Sequence, residues 1–284
     1  MRYAEWVKGG QHVTLAGHSI FHRQDGPVDG SPVTLLHGYP SSSHDWTYIL
    51  PSLIDAGFRV TTLDFLGFGA SDKPLAHDYL MTEQADIVEA LWRHLGIDET
   101  ALVSHDYGVS VAQELLARDP GRITRTAWLN GGLYIDLYHP MPVQRAMIGP
   151  VGKAVGPLMF ERGFAVSLRK VLGREISAAE MHDMWLAMSS NGGKRVQWGL
   201  NRYHAERRKH AQRWQRSLET YSGPMLFVWG PADPVSGGHV LPRLRERMPQ
   251  ASFVVLDEPP VTGHYPQVEN PAPVAAALTE FLGK

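Results

Sequence analysis

A chain of 284 residues with a formal charge of −2 and no cysteine is long enough to bury one sizeable core. It carries no basic footprint for nucleic acid or an anionic membrane surface and can form neither a disulfide nor a thiolate metal site. Met1 to Gly10 holds no apolar run of signal-peptide length and no stretch elsewhere approaches a membrane span, so a soluble cytoplasmic protein with no nucleic-acid or membrane partner is expected.

Thr14 to His22 alternates loosely between apolar and polar residues and predicts an antiparallel edge strand and hairpin before the turn-rich Gln24 to Pro32. Val33 to Leu36 is a short buried strand running into His37-Gly38-Tyr39-Pro40. Gly38 permits a tight bend and Pro40 stiffens the backbone behind it, leaving the Tyr39 N–H free to be presented. A helix is expected from about His44 to Ala56, a strand over Arg59 to Asp64, and a helix from Met81 to Leu95 closed by Gly96. Between the last two, Phe65 to Pro74 is punctuated by glycine, but it lacks the G-x-G-x-x-G spacing and no helix starts at its glycines, so a phosphate cradle is rejected.

The β-prone run Thr100 to Val103 leads into Ser104-His105-Asp106-Tyr107-Gly108, and a helical pattern follows at once through Val109, Ala112, Leu115 and Leu116. Strand, sharp turn and helix follow in sequence, with small residues at the crowded positions and a carboxylate at the apex. Taken alone, the pentapeptide also fits an ordinary strand–helix link whose aspartate caps the helix.

Ile123 to Leu129 is the next strand, ending at Asn130-Gly131-Gly132. From Leu133 to about Tyr221 strand patterns cease. Helical patterns take over (Val143 to Met147, Phe164 to Leu172, Ala178 to Met188, Lys194 to Trp214), rich in Met, Trp and Tyr. They predict a helical lid over 133–220, inserted between core segments 1–132 and 221–284. The basic run Arg202 to Arg216 is interleaved with Glu206 and Trp214 and reads as a solvated helix face with buried ends. Met225 to Trp229 returns to strand and ends near Asp233; Phe253 to Leu256 is the last strand, followed by His264 and a closing helix from Ala272 to Leu282. Asp233 beside Pro234 also fits a turn aspartate.

With these segments in order, the chain resembles the α/β-hydrolases of the epoxide hydrolase and haloalkane dehalogenase group, which share an aspartate nucleophile in His-Asp-x-Gly. Within that group, Leu63 to Gly69, Leu102 to Gly108, Val111 to Leu116, Gly230 to Val235 and His264 to Glu269 most resemble the mesoderm-specific transcript subfamily. The likeness spans nearly the whole chain and is weakest in the lid. It implies a mostly parallel sheet covered by helices on both faces. It also implies Asp106 as nucleophile, Asp233 as the orienting acid and His264 as base, with the Tyr39 and Tyr107 amides as the oxyanion hole.

A carboxylate nucleophile attacks saturated carbon, and the resulting ester is then cleaved by base-activated water with no metal or organic cofactor. Leu200 to Arg207 looks like the lid segment in which epoxide hydrolases carry a ring-opening tyrosine, which maps to Tyr203, although an interfacial tyrosine packed for its ring would give the same pattern. The usual second lid tyrosine has no counterpart in Val155 to Phe164, where Phe160 stands; Tyr107, Tyr134 or Tyr138 could replace it, with Tyr107 best placed because it follows the nucleophile. Dehalogenases tend to have asparagine and tryptophan where this chain has Tyr39 and Tyr107. The expected activity is hydrolysis of a small hydrophobic epoxide to a vicinal diol. A haloalkane or haloacid dehalogenase is the same-class alternative, and a non-catalytic binding module the alternative from another class.

Overall fold

In the computed structural model, which describes residues 1–141, 144–145 and 150–284, the predicted strands pair into a single eight-stranded sheet. They are β1 (Gln11–Leu15), β2 (His18–Asp25), β3 (Ser31–Leu36), β4 (Phe58–Leu63), β5 (Thr100–His105), β6 (Ile123–Leu129), β7 (Met225–Trp229) and β8 (Ser252–Val255). The order across the sheet is β1-β2-β4-β3-β5-β6-β7-β8, with β1 and β2 antiparallel to their neighbours and the remaining pairs parallel. The edge hairpin turns inside the expected strand, at Ala16-Gly17. Both residues have positive φ there, which suits a two-residue hairpin to the strand twist.

The helices are α1 (Tyr3–Lys8), α2 (Leu50–Asp55), α3 (Met81–His94), α4 (Tyr107–Arg118), α5 (Pro150–Val155), α6 (Glu161–Arg169), α7 (Ala178–Ser189), α8 (Gly193–Leu200), α9 (Tyr203–Thr220), α10 (Leu241–Arg247), α11 (Pro266–Glu269) and α12 (Pro271–Leu282). Alternate strand residues pack in opposite directions, as a buried parallel sheet requires. Leu102, Trp128 and Phe227 join the cluster under α3, α4 and α9, while Val103, Ala127 and Val228 join the one under α2 and α12. Truncating a fully enclosed leucine such as Leu102 would cost about 2–5 kcal/mol.

Two predicted helices are broken. The expected helix from His44 to Ala56 is a 3₁₀ turn at Ser43–Trp46 followed by α2, because Pro51 lacks an N–H and fits only in a first helical turn. The run from Lys194 to Trp214 divides at Asn201 and Arg202 into α8 and α9; Asn201 Nδ2 turns back onto the Gln197 carbonyl and also donates to Tyr39 Oη. The helical pattern at 143–147 lies outside the described residues except 144–145.

No strand occurs among the described residues between β6 and β7, where a third apolar cluster, with Phe164, Leu168, Met184 and Met188, packs on Val235, Tyr265 and Val268. Among the described residues no helix is long and apolar enough to cross a membrane. The parallel register aligns Leu36, Ser104, Trp128 and Phe227 side by side. The loops leaving β3, β5, β6 and β7 therefore emerge together at one sheet edge.

Candidate active site

Asp106 occupies the turn between β5 and α4 with φ 44° and ψ −101°, a conformation costing a non-glycine residue about 1–3 kcal/mol. Crowding by neighbouring backbone and side chains explains the small residues around it. A Cβ on Gly108 would lie 2.7 Å from Leu36 O, one on Gly38 would lie 2.6 Å from His105 Nδ1, and one on Gly131 would lie 3.1 Å from Asp106 Cα. The turn is pinned by Asp106 N–H donating to Asn130 O at 2.9 Å and Gly108 N–H to His37 O at 3.0 Å.

The Asp106 carboxylate is buried. Its Oδ2 accepts the Tyr39 N–H at 3.0 Å, while Oδ1 faces His264 Nε2 at 3.8 Å and Arg207 Nη2 at 3.9 Å. Burial raises its pKa, but the facing His264 and its charge, with Arg207, outweigh that and hold it below the usual carboxylate range. The second amide near this carboxylate belongs to Tyr107, at the first position of α4, where no preceding helical carbonyl can take it.

His264 donates from Nδ1 to Asp233 Oδ2 at 2.8 Å, fixing the tautomer and turning Nε2 toward Asp106. Asp233 also accepts from Asn130 Nδ2 (3.1 Å), Val235 N–H (2.7 Å), Ser236 N–H (3.1 Å) and Ser236 Oγ (2.8 Å). Burial alone would raise its pKa; the His264 charge and these donors bring it down. Burial likewise pulls His264 down, but the flanking Asp233 and Asp106 carboxylates raise it to about 10.

Tyr203 opens α9 and is fully buried. Its hydroxyl is 3.0 Å from Tyr138 Oη and within 3.4 Å of Gln144 Nε2. Burial raises both phenols, Tyr138 to about 12, so both hold their protons at neutral pH. Two of the named alternatives are corrected here. Tyr134 donates to Glu219 Oε1 at 2.8 Å and is committed to the α9 end of the lid, away from Asp106. The Tyr107 ring packs on Phe65 and Phe68 with its hydroxyl buried, because the first residue of α4 turns its side chain into the core. Phe160 lies at the cavity rim, 64% exposed.

A profile described as alpha/beta hydrolase fold matches residues 31–271. The chain is an α/β-hydrolase. Two similar proteins, each 38% identical, support the assignment over almost the full length. A protein named LipZ from Mycobacterium tuberculosis aligns over 98% of this chain and 97% of its own. The human mesoderm-specific transcript homolog protein aligns over 98% and 87%. The haloalkane dehalogenase DbeA from Bradyrhizobium elkani superposes with a TM-score of 0.83 over 96% of this chain and 97% of that one, at 23% identity, a likeness of fold.

In this α/β-hydrolase a cavity of about 300 Å³ reaches the site, with His264, Tyr265 and Tyr39 at its inner end and mainly apolar side chains such as Leu158, Phe164, Leu168 and Met188 along its walls. Three further residues hold the site together. Asn130 brackets β6 to β7 by donating to Gly230 O (2.8 Å) and accepting Gly230 N–H (2.6 Å) while holding Asp233; its place at a strand end was the available signal. His105 donates to His264 O at 2.7 Å and accepts from Gln267 Nε2 at 3.0 Å. Arg207, in the run read as a solvated face, is buried against the elbow.

Proposed function

We propose that this hydrolase opens an epoxide to a vicinal diol through an ester on Asp106. The observation that carries the reading is the Tyr138–Tyr203 hydroxyl pair, two protonated phenols 3.0 Å apart in the electrostatic reach of the Asp106 carboxylate. An opening epoxide leaves an alkoxide, and a phenol is the acid that can quench it; general acid catalysis of this kind contributes roughly 10²–10⁴-fold.

Oδ1 would attack, since Oδ2 is occupied by the Tyr39 N–H. The carbon–oxygen bond of the ring breaks and its electron pair takes the phenolic proton, leaving a hydroxyalkyl ester on Asp106 and a phenolate. Neutral His264, oriented by Asp233, would then remove a proton from water as it attacks the ester carbon. The Tyr39 and Tyr107 amides would hold the resulting oxyanion, each such donor being worth about 2.7–4 kcal/mol of barrier. Collapse breaks the ester C–O bond, and the departing diol oxygen takes the proton held by His264; the carboxylic acid left on Asp106 gives up its proton as the phenolate regains one, which restores the carboxylate and the phenol.

The apolar cavity favours a small hydrophobic substrate. A departing halide would need N–H donors around it; the side chain following the nucleophile is instead the Tyr107 phenol, turned into the core. The test is a single turnover with a hydrophobic epoxide in ¹⁸O water. The reading expects label in the Asp106 side chain and diol as product. Label confined to the diol would overturn the aspartate ester, halide release from a haloalkane panel without diol would favour the dehalogenase, and no turnover of either panel would favour a binding module.

A further inference from the structure

Arg207 lies one helical turn beyond Tyr203 on α9, so the two side chains project from the same face. Its guanidinium is fastened to the elbow: Nε donates to Ser110 Oγ at 2.8 Å and Nη2 to the Asp106 carbonyl at 3.0 Å. The same Nη2 is 3.9 Å from Asp106 Oδ1. On its other side, Cζ lies 4.6 Å from the Tyr203 ring centroid and 5.0 Å from that of Tyr138. Room for this arrangement comes from Gly132, where a Cβ would stand 2.6 Å from Nη1. Nη1 is buried with no acceptor among the described residues.

A guanidinium taken out of water is unfavourable unless a negative charge answers it. In the resting enzyme the Asp106 carboxylate supplies that charge. Resting on the epoxide reading above, we propose that Arg207 is a positioning residue for ring opening, a fixed cation standing between the carboxylate where negative charge begins and the phenol pair where it arrives.

The electron movement makes the placement matter. When Asp106 Oδ1 bonds to carbon its charge is lost, and the pair from the broken ring bond ends as phenolate after proton transfer. Phenolate charge spreads into the ring over which the guanidinium lies. The charge therefore moves from one flank of Arg207 to the other without leaving it, and the cation needs no reorganisation as the barrier is crossed. Arg207 exchanges no proton.

The test measures formation of the Asp106 adduct by quenched-flow mass spectrometry with styrene oxide. The parent is the His264→Gln variant, which cannot complete hydrolysis. Adding Arg207→Met should slow adduct formation at least 100-fold and move the alkaline limb of its pH profile upward, because the phenols lose the cation that favours their ionised form. Arg207→Lys keeps the charge and loses the fork; it should remain within about tenfold with the limb unmoved, a separation that a purely structural role would not give. Adduct formation by Arg207→Met within threefold of the parent overturns the proposal while leaving the epoxide reading intact. If Arg207→Met does not give the native circular dichroism spectrum, Arg207→Lys decides: a folded Lys variant slowed 100-fold also overturns it. Failure of the parent to form an adduct with any of a panel of epoxides removes the epoxide reading itself.

Discussion

The hydroxyl of Tyr138 lies 3.0 Å from that of Tyr203, joining the segment after β6 to the first turn of α9. Two acids that share a hydrogen bond act as one donor to an incoming oxygen. Tyr203→Phe and Tyr138→Phe should each lower the rate of epoxide opening about 10²–10³-fold. The double variant should fall little further, because residues acting as a unit are not additive. Single-turnover rates for the four proteins check this; full additivity would mean that the phenols work separately.

Gly108 is confined by backbone on both sides of the elbow. Its Cβ would stand 2.7 Å from Leu36 O and 2.8 Å from His37 O, and neither carbonyl can swing aside as a side chain could. Gly108→Ala should therefore destabilise the fold by about 1–3 kcal/mol and displace the Tyr39 amide from Asp106. Urea unfolding gives the first effect, and the adduct-forming rate gives the second. A variant with unchanged midpoint and rate would show that the elbow yields more easily than its contacts imply.

The strand succession, the elbow and the order Asp106, Asp233, His264 were legible because each is written locally, in β-prone runs ended by small or turn residues. The partner of Tyr203 was legible only as one of three candidates, with Tyr107 preferred over Tyr138. Tyr138 lies 65 positions away and meets it only through the fold of the lid, whereas Tyr107, adjacent in sequence to Asp106, points into the core because α4 begins there. Arg207 was misread for a related reason: the run around it is polar by composition, and helical spacing alone does not say that Ser110 and the Asp106 carbonyl lie opposite its one buried cation. The break at Asn201 likewise depends on a distant acceptor, Tyr39 Oη.

Glu206 extends from α9 to accept the backbone N–H of Met81, the first residue of α3. Leu80, at the cap position, offers no side-chain acceptor, so this carboxylate serves as the cap and also ties the lid to the core. Glu206→Ala leaves that N–H buried without its partner and should cost about 0.5–2 kcal/mol, lowering the thermal midpoint. Glu206→Gln, which retains an acceptor oxygen, should recover part of the loss. Equal midpoints for wild type and Glu206→Ala would show that the contact contributes nothing.

His264 must be neutral to accept a proton from water, yet the flanking carboxylates raise its pKa to about 10 against the opposing effect of burial. In the resting enzyme at pH 7 to 9 it is therefore an imidazolium, paired with Asp233 and facing Asp106. On the proposed route, esterification would remove the Asp106 charge and with it part of what favours the proton, while burial and Asp233 would remain. The pKa would then fall, so that the proposed base would be made available by the step that creates its substrate. Two measurements follow from this sign. Asp106→Asn, a neutral stand-in for the ester, should lower the His264 pKa seen by NMR titration from its resting value near 10. In single turnovers, hydrolysis of the ester should rise with pH and level off below pH 10. An unchanged imidazole pKa in Asp106→Asn would mean that the nucleophile does not govern its base, and the hydrolytic step would then need another source of neutral imidazole.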